Sequence, residues 1–228
     1  MKNLVCVFAH PDDEAFGPGG TIAKYSQKYN VYILCATKGE AGLQNQKSKI
    51  KNQNYSSKVK GLGEIRAEEL RKSAKILGVK KVFFLGFKDG TLSNNIYHKL
   101  AAKIKHHLLI LRPSIVLTYE PLGVSGHIDH ITVSMVTMFV VKKLKFIRQL
   151  WQVCLPDYRA KQRQDYYICF SPGYKKSEID KVVNIEDVWD RKVEAMRQHK
   201  SQYNDFEKIM KWIKKFPKKE YFLVRKLN

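Results

Sequence analysis

Four short apolar runs, Leu4–Phe8, Val31–Ala36, Val82–Leu85 and Ile115–Tyr119, alternate with longer segments of helical period over the first half of the chain. Short apolar runs bounded by turn residues read as buried strands, whereas apolar residues returning every three or four positions read as amphipathic helices. The spacing predicts helices near Gly20–Tyr29, Glu64–Leu77 and Asn94–Leu111. The third carries Leu100, Ile104, Leu108 and Leu111 on one face and must stop before Pro113, because proline cannot continue a helix. A strand–helix alternation of this kind needs right-handed crossovers and gives a mainly parallel sheet covered on both faces. The predicted fold class is therefore α/β, a Rossmann-like three-layer sandwich.

Beyond these units, Ile131–Leu144 reads as a helix, and Leu150–Leu155 and Tyr166–Phe170 as late strands. Helices are expected over Glu186–Gln202 and Asp205–Lys215, with Tyr221–Val224 as an edge strand, which together make a small C-terminal strand and helix extension. Gln44–Lys60, rich in Asn, Gln, Ser and Lys, reads as a long loop. No repeat or linker interrupts the chain, so residues 1–228 are expected to form a single domain, a size that supports one substantial core.

Composition narrows the class further. No apolar run approaches the roughly 20 residues of a membrane span, and the chain opens on its first strand, so neither an anchor nor a signal peptide is expected. Cys6, Cys35, Cys154 and Cys169 all sit in apolar runs and form no CxxC pair. Buried free thiols in a cytoplasmic protein fit that pattern. The net charge of +21 is divided almost evenly between residues 1–140 and 141–228. A dispersed charge reads as a solvated lysine-rich surface, so no specific nucleic-acid partner is expected. The Lys211–Lys219 stretch, interleaved with Trp212 and Phe216, offers at most a peripheral contact with an acidic membrane.

The first strand ends in Ala9-His10-Pro11-Asp12-Asp13-Glu14, an imidazole and three carboxylates leaving a core. More than a hundred residues later, past the fourth strand, comes Gly126-His127-Ile128-Asp129-His130. In an open parallel sheet ligands bind outside the carboxyl ends of the strands, and the predicted topology puts both clusters on that rim. A hydrolytic zinc site typically takes three protein ligands and keeps one position open. The rim offers His10 with Asp12 or Asp13, and His127 or His130. The unused carboxylate stands ready as a base, and the unused histidine as an acid or oxyanion donor.

The ordered set of motifs resembles the LmbE-like (PIG-L) N-acetylglucosaminyl deacetylases. It comprises AHPDDE, Thr37-Lys38-Gly39-Glu40, Arg66-Ala67-Glu68-Glu69, Leu85 to Gly90, Arg112-Pro113, Gly126 to His130 and His199-Lys200-Ser201-Gln202. The resemblance implies metal ligands at His10, Asp13 and His130, a general base at Asp12, and an electrophile or general acid at His127 held by Asp129. Arg66 and Asp89 match positions that contact substrate. It further implies zinc, with ferrous iron as the alternative, and a small amino-sugar substrate whose N-acetyl group leaves as acetate. A homo-oligomer is compatible with the sequence. Two departures stand out: Ile128 occupies the place of a proline, and Ser125 that of a tyrosine that assists the oxyanion in some members.

The remaining polar residues have plainer readings. His106 and His107 match no motif and read as packing or surface residues of the third helix; His98 and His199 are open, His199 between a cleft position and a structural hydrogen bond. Glu14 reads as a carboxylate supporting the ligands. Gly17, Gly19 and Gly20 lack phosphate-loop spacing and read as a tight turn beside the metal.

Overall fold

The computed structural model describes residues 1–42, 61–163 and 170–227. Among these residues a sheet of seven strands runs in the order β3-β2-β1-β4-β5-β7-β6. Its parallel part comprises β1 (Lys2–Phe8), β2 (Tyr29–Cys35), β3 (Lys81–Phe84), β4 (Ile115–Tyr119) and β5 (Gln149–Cys154). From Leu4 to Phe8, and throughout β4, every residue is buried, as expected for strands covered on both faces. On one side α1 (Asp13–Phe16), α2 (Gly19–Tyr25), α3 (Leu62–Leu77) and α7 (Trp189–Arg197) pack together; α4 (Tyr97–Leu111) and α5 (Ile128–Val141) form a second packed pair against β1 and β4, and the short α6 (Asp157–Ala160) follows β5. The α/β class and the mainly parallel sheet follow the sequence reading.

The chain winds outward from β1 through β2 to β3, then crosses back to place β4 on the other side of β1. The crevice at the carboxyl ends of β1 and β4 is thus a topological switch point, where such sheets bind ligands. His10 leaves the end of β1, and the loop after β4 leads to His127.

Three expectations need correction. The strand read over Tyr221–Val224 is β7 (Lys219–Lys226), and it lies inside the sheet, antiparallel to β5 and to β6 (Lys181–Asn184). The edge belongs to β6, whose four residues bury only Val183 and therefore carry almost no apolar signal. The helix read over Glu186–Gln202 is α7 alone, flanked by 3-10 turns at Glu186–Val188 and Lys200–Gln202. Its end is drawn inward: the Ser201 amide donates to Glu69 at 2.9 Å and the His199 ring bonds Glu14 at 2.7 Å. The helix expected from Ile131 begins at Ile128, since the His127 ring accepts the Asp129 amide at 3.1 Å and caps it. The Gln44–Lys60 loop and most of the Tyr166–Phe170 strand lie outside the described residues. Cys6, Cys35 and Cys154 are buried and free, and Cys169 lies outside the described residues.

Candidate active site

His10 enters the crevice straight from the backbone of β1 and is 7% exposed. Its Nε2 lies 2.9 Å from Asp89 and 3.2 Å from Asp129. Both carboxylates can only accept, so Nε2 carries the proton and Nδ1 presents a lone pair. His130, in the first turn of α5, is oriented the same way: its Nδ1 lies 3.1 Å from the Gly123 carbonyl, which leaves Nε2 as the acceptor. The two nitrogens face one another at 3.1 Å, so with both rings neutral two lone pairs meet. Asp13 stands beside them, 3.3 Å from His130 Nε2 and 3.7 Å from His10 Nδ1. The hydroxyl of Tyr119, at the end of β4, donates to Asp13 and accepts the Ala9 amide at 2.9 Å. Its ring stacks on His130 with centroids 4.4 Å apart.

Two imidazole lone pairs and a carboxylate pointed at one another repel unless a positive charge lies between them. Tetrahedral bonds of about 2.0–2.1 Å would space such donors about 3.3 Å apart, close to the spacing seen. This donor set therefore fits a divalent cation. A second grouping, His10, His127 and Asp129, also converges within 4.8 Å. It competes less well, because the Asp129 carboxylate already accepts the Gly90 amide at 2.9 Å and the Leu92 amide at 3.1 Å. Burial works against a charged His10, yet the bonds to Asp129 and Asp89 and the charge of Asp13 carry it up to about 10. In the metal-free chain a second proton therefore sits on Nδ1 between the two rings, in the place a divalent cation would take. His130 is pushed down to about 4, chiefly by burial. Asp13 is held below the usual carboxylate range, with His130 and His10 outweighing its burial.

Asp12 sits beside this centre with φ 113°, a conformation an L-residue adopts only under strain. Its amide donates to Glu14 at 3.0 Å, and its carboxylate accepts from Arg66 at 3.0 Å. Burial pushes the Asp12 carboxyl up; Arg66 opposes the shift and the charge of Asp13 adds to it. Glu14 also bonds Ser73 and His199, so it supports the loop, and His199 has a structural bond rather than a place in the cavity. His127 is a neutral ring whose Nδ1 accepts the Asp129 amide, which leaves Nε2 as a donor. Burial, then the charge of His10, lowers its pKa. Asp129 thus meets His127 through its backbone and His10 through its carboxylate.

Arg66 and Asp89 line the cavity but are already engaged. Arg66 donates to the carbonyls of Pro11 and Gly39, both at 2.8 Å. Gly39 permits that approach, since a Cβ there would lie 2.5 Å from the guanidinium carbon. Asp89 accepts the Ala41 amide at 3.0 Å besides bonding His10, and is held at about 2: burial opposes its charge, but His10 prevails. Tyr119 is the site residue the sequence reading missed; its only signal is a hydroxyl at the rim-side end of a buried strand.

A Rossmann-like sheet with a His2Asp cluster at its switch point defines the class: an α/β protein with a candidate metal site at the carboxyl rim of its sheet. Residues 5–141 match the PIG-L family model, described as GlcNAc-PI de-N-acetylase. The chain belongs to that family. It is 28% identical over 89% of its length to a probable N-acetyl-alpha-D-glucosaminyl L-malate deacetylase 2 of Bacillus anthracis, of which 84% is covered. It is 31% identical, again over 89%, to a diacetylchitobiose deacetylase of Thermococcus kodakarensis, of which 71% is covered. Among solved structures, an N,N'-diacetylchitobiose deacetylase from Pyrococcus horikoshii superposes with TM-score 0.64, 24% identity and coverage of 99% and 84%. A 4-carboxy-2-hydroxymuconate hydratase from Pseudomonas putida superposes with TM-score 0.68, 18% identity and coverage of 98% and 96%. The last two likenesses establish the fold, which evidently carries more than one chemistry.

Proposed function

We propose that this protein is a metal-dependent N-deacetylase that removes the acetyl group from an N-acetylglucosamine-containing small molecule or conjugate. The observation that carries the reading is the convergence of His10 Nδ1 and His130 Nε2, 3.1 Å apart, beside Asp13. His10, Asp13 and His130 would hold the ion, zinc with ferrous iron as the alternative. A divalent cation held there supplies charge that polarises an amide carbonyl and acidifies a nearby water. Asp12, with its raised pKa, takes a proton from the attacking water and returns it to the departing amine. His127 donates its Nε2–H to the oxygen where negative charge develops, a task its neutral state suits. His10 is kept in its ligand tautomer by Asp89 and Asp129, and Arg66 holds the Asp12 loop; Arg66 and Asp89 would also face substrate. The products are acetate and a free amine.

The names of the malate- and chitobiose-linked relatives support an amino-sugar substrate. Among the described residues no helix is long and apolar enough to cross a membrane; we read the chain as a single cytoplasmic domain. An amidase acting on another N-acyl group is the alternative, because the centre reads the amide and not the sugar. Metal analysis paired with acetate release from N-acetylglucosamine, chitobiose, and inositol- and malate-linked conjugates tests the proposal. Asp12→Asn should lower turnover about 10²–10⁴-fold with metal content intact, and His10→Ala or His130→Ala should lose the metal. Full turnover in Asp12→Asn would remove the assigned base.

A further inference from the structure

The helix α8 (Tyr203–Ile213) has two faces with different surroundings. Its Met210 is buried, and Asp205, Ile209, Trp212 and Ile213 line the cavity. The opposite side carries lysines. Residues 208–219, running from α8 through the turn that ends it, hold Lys208, Lys211, Lys214, Lys215, Lys218 and Lys219 and no Asp or Glu. All six lysines are exposed, and none forms an ion pair with a carboxylate among the described residues. The fold adds to them. The Tyr158 ring centre lies 5.9 Å from that of Phe216, and the Arg163 guanidinium 5.0 Å from that of Trp212, which brings Lys161 and Arg163 to the same edge of the molecule.

The acids nearby do not neutralise this face. Glu207 is held by the Tyr203 hydroxyl at 2.6 Å, and Glu220 is buried against Lys192. Asp187, on the turn that the Ile185 amide ties to the Lys218 carbonyl, is taken by Lys24 at 2.9 Å. Glu186, exposed on the same turn, sets one negative charge against six positive ones. A lysine in the last turn of a helix complements its dipole, which accounts for Lys211 but not for Lys218 and Lys219 beyond the helix. Lys211 and Lys215, four residues apart, repel one another, so negative charge from outside stabilises the face. We propose that it docks the protein on an anionic lipid bilayer. Lysine is a compact point charge suited to a diffuse layer of headgroups, whereas arginine forks are the usual readers of nucleic-acid phosphates. Trp212 and Phe216, both half-buried, border the lysines, as aromatic rings do where a protein meets headgroups. The surface goes beyond the deacetylase reading and does not depend on it.

Sedimentation with vesicles tests this. At about 0.15 M salt the protein should bind vesicles made of phosphatidylcholine and phosphatidylglycerol in equal parts and leave pure phosphatidylcholine vesicles alone. The triple variant Lys211→Glu/Lys214→Glu/Lys215→Glu should lower the affinity more than about 100-fold. A second triple, Lys99→Glu/Lys105→Glu/Lys145→Glu, changes the net charge equally at exposed positions on the α4–α5 side of the sheet. It should stay within about threefold of wild type, since exposed charges beyond a Debye length are screened. Equal falls in the two triples would make the effect one of net charge and overturn the proposal. So would an absence of binding, or equal binding to both kinds of vesicle. Tighter binding to duplex DNA than to the mixed vesicles also overturns it, in favour of a nucleic-acid surface. Should the first triple fail to fold, Lys211→Gln/Lys215→Gln should still weaken vesicle binding about 30-fold; unchanged binding rejects the docking face. None of these readouts uses acetate release, so a failure of the deacetylase reading is seen separately.

Discussion

Asp12 and Tyr119 show how much of a site one residue can carry. Asp12 pairs a strained backbone with a carboxyl whose proton affinity burial has raised, a combination expected of a group kept for chemistry. Tyr119 bridges the Ala9 amide and Asp13 while stacking on His130. Tyr119→Phe should weaken metal binding about 10- to 100-fold, as measured by chelator competition, and cost about 1–3 kcal/mol of stability by stranding a buried amide. His199 answers to pH. Burial lowers its pKa, but Glu14 outweighs burial and raises it above the usual histidine value. A raised pKa stabilises the fold fully below the unfolded value of about 6.5, and the contribution disappears as pH rises through the folded value. Thermal unfolding should therefore show wild type losing its advantage over His199→Gln as the buffer becomes alkaline. His10, Asp12, Asp13 and His130 were legible in sequence because each lies in a contiguous polar motif. Tyr119 was not, since its partner Asp13 is 106 residues away along the chain.

Among the elements, α5 and the turn before it decide the second half of the site. His127 caps the helix, which puts Asp129 and His130 in its first turn and aims both at β1. Gly123 makes this possible: its φ is +66°, and a Cβ there would come within 2.6 Å of His130 Cβ and 2.9 Å of the Ile131 nitrogen. Gly123→Ala should lower both the melting temperature and bound metal. Gly90→Ala, also at positive φ but with nothing nearer than 3.9 Å, should cost about 1–2 kcal/mol and keep its metal. The parallel strands and long helices were readable from hydrophobic period. The short edge β6 and the break after α7 were not, because the first buries one side chain and the second is imposed by Glu14 and Glu69.

For the molecule as a whole, the candidate ion joins the end of β1 to the start of α5, so it should stabilise the folded chain by binding it alone. Adding zinc at about 100 times its dissociation constant to stripped protein should contribute about 2.7 kcal/mol, a rise of about 5–11 °C in the melting temperature; an unchanged Tm would count against the ligand set. The surface charge of +21 has no single focus in the sequence, while the cavity wall holds three buried cations, Arg66, Lys192 and Arg159, of which the first two are paired with Asp12 and Glu220. By itself the sequence determined the α/β class, the rim on which chemistry falls and the identity of the acidic and imidazole groups there, because period and motif are local properties of a chain. Tertiary structure alone decided which ring nitrogens face each other, that Asp129 reaches His10 with its carboxylate, and that Arg159 lines the same cavity with no ion-paired carboxylate among the described residues. Those are distances between residues far apart in sequence, and only packing sets them.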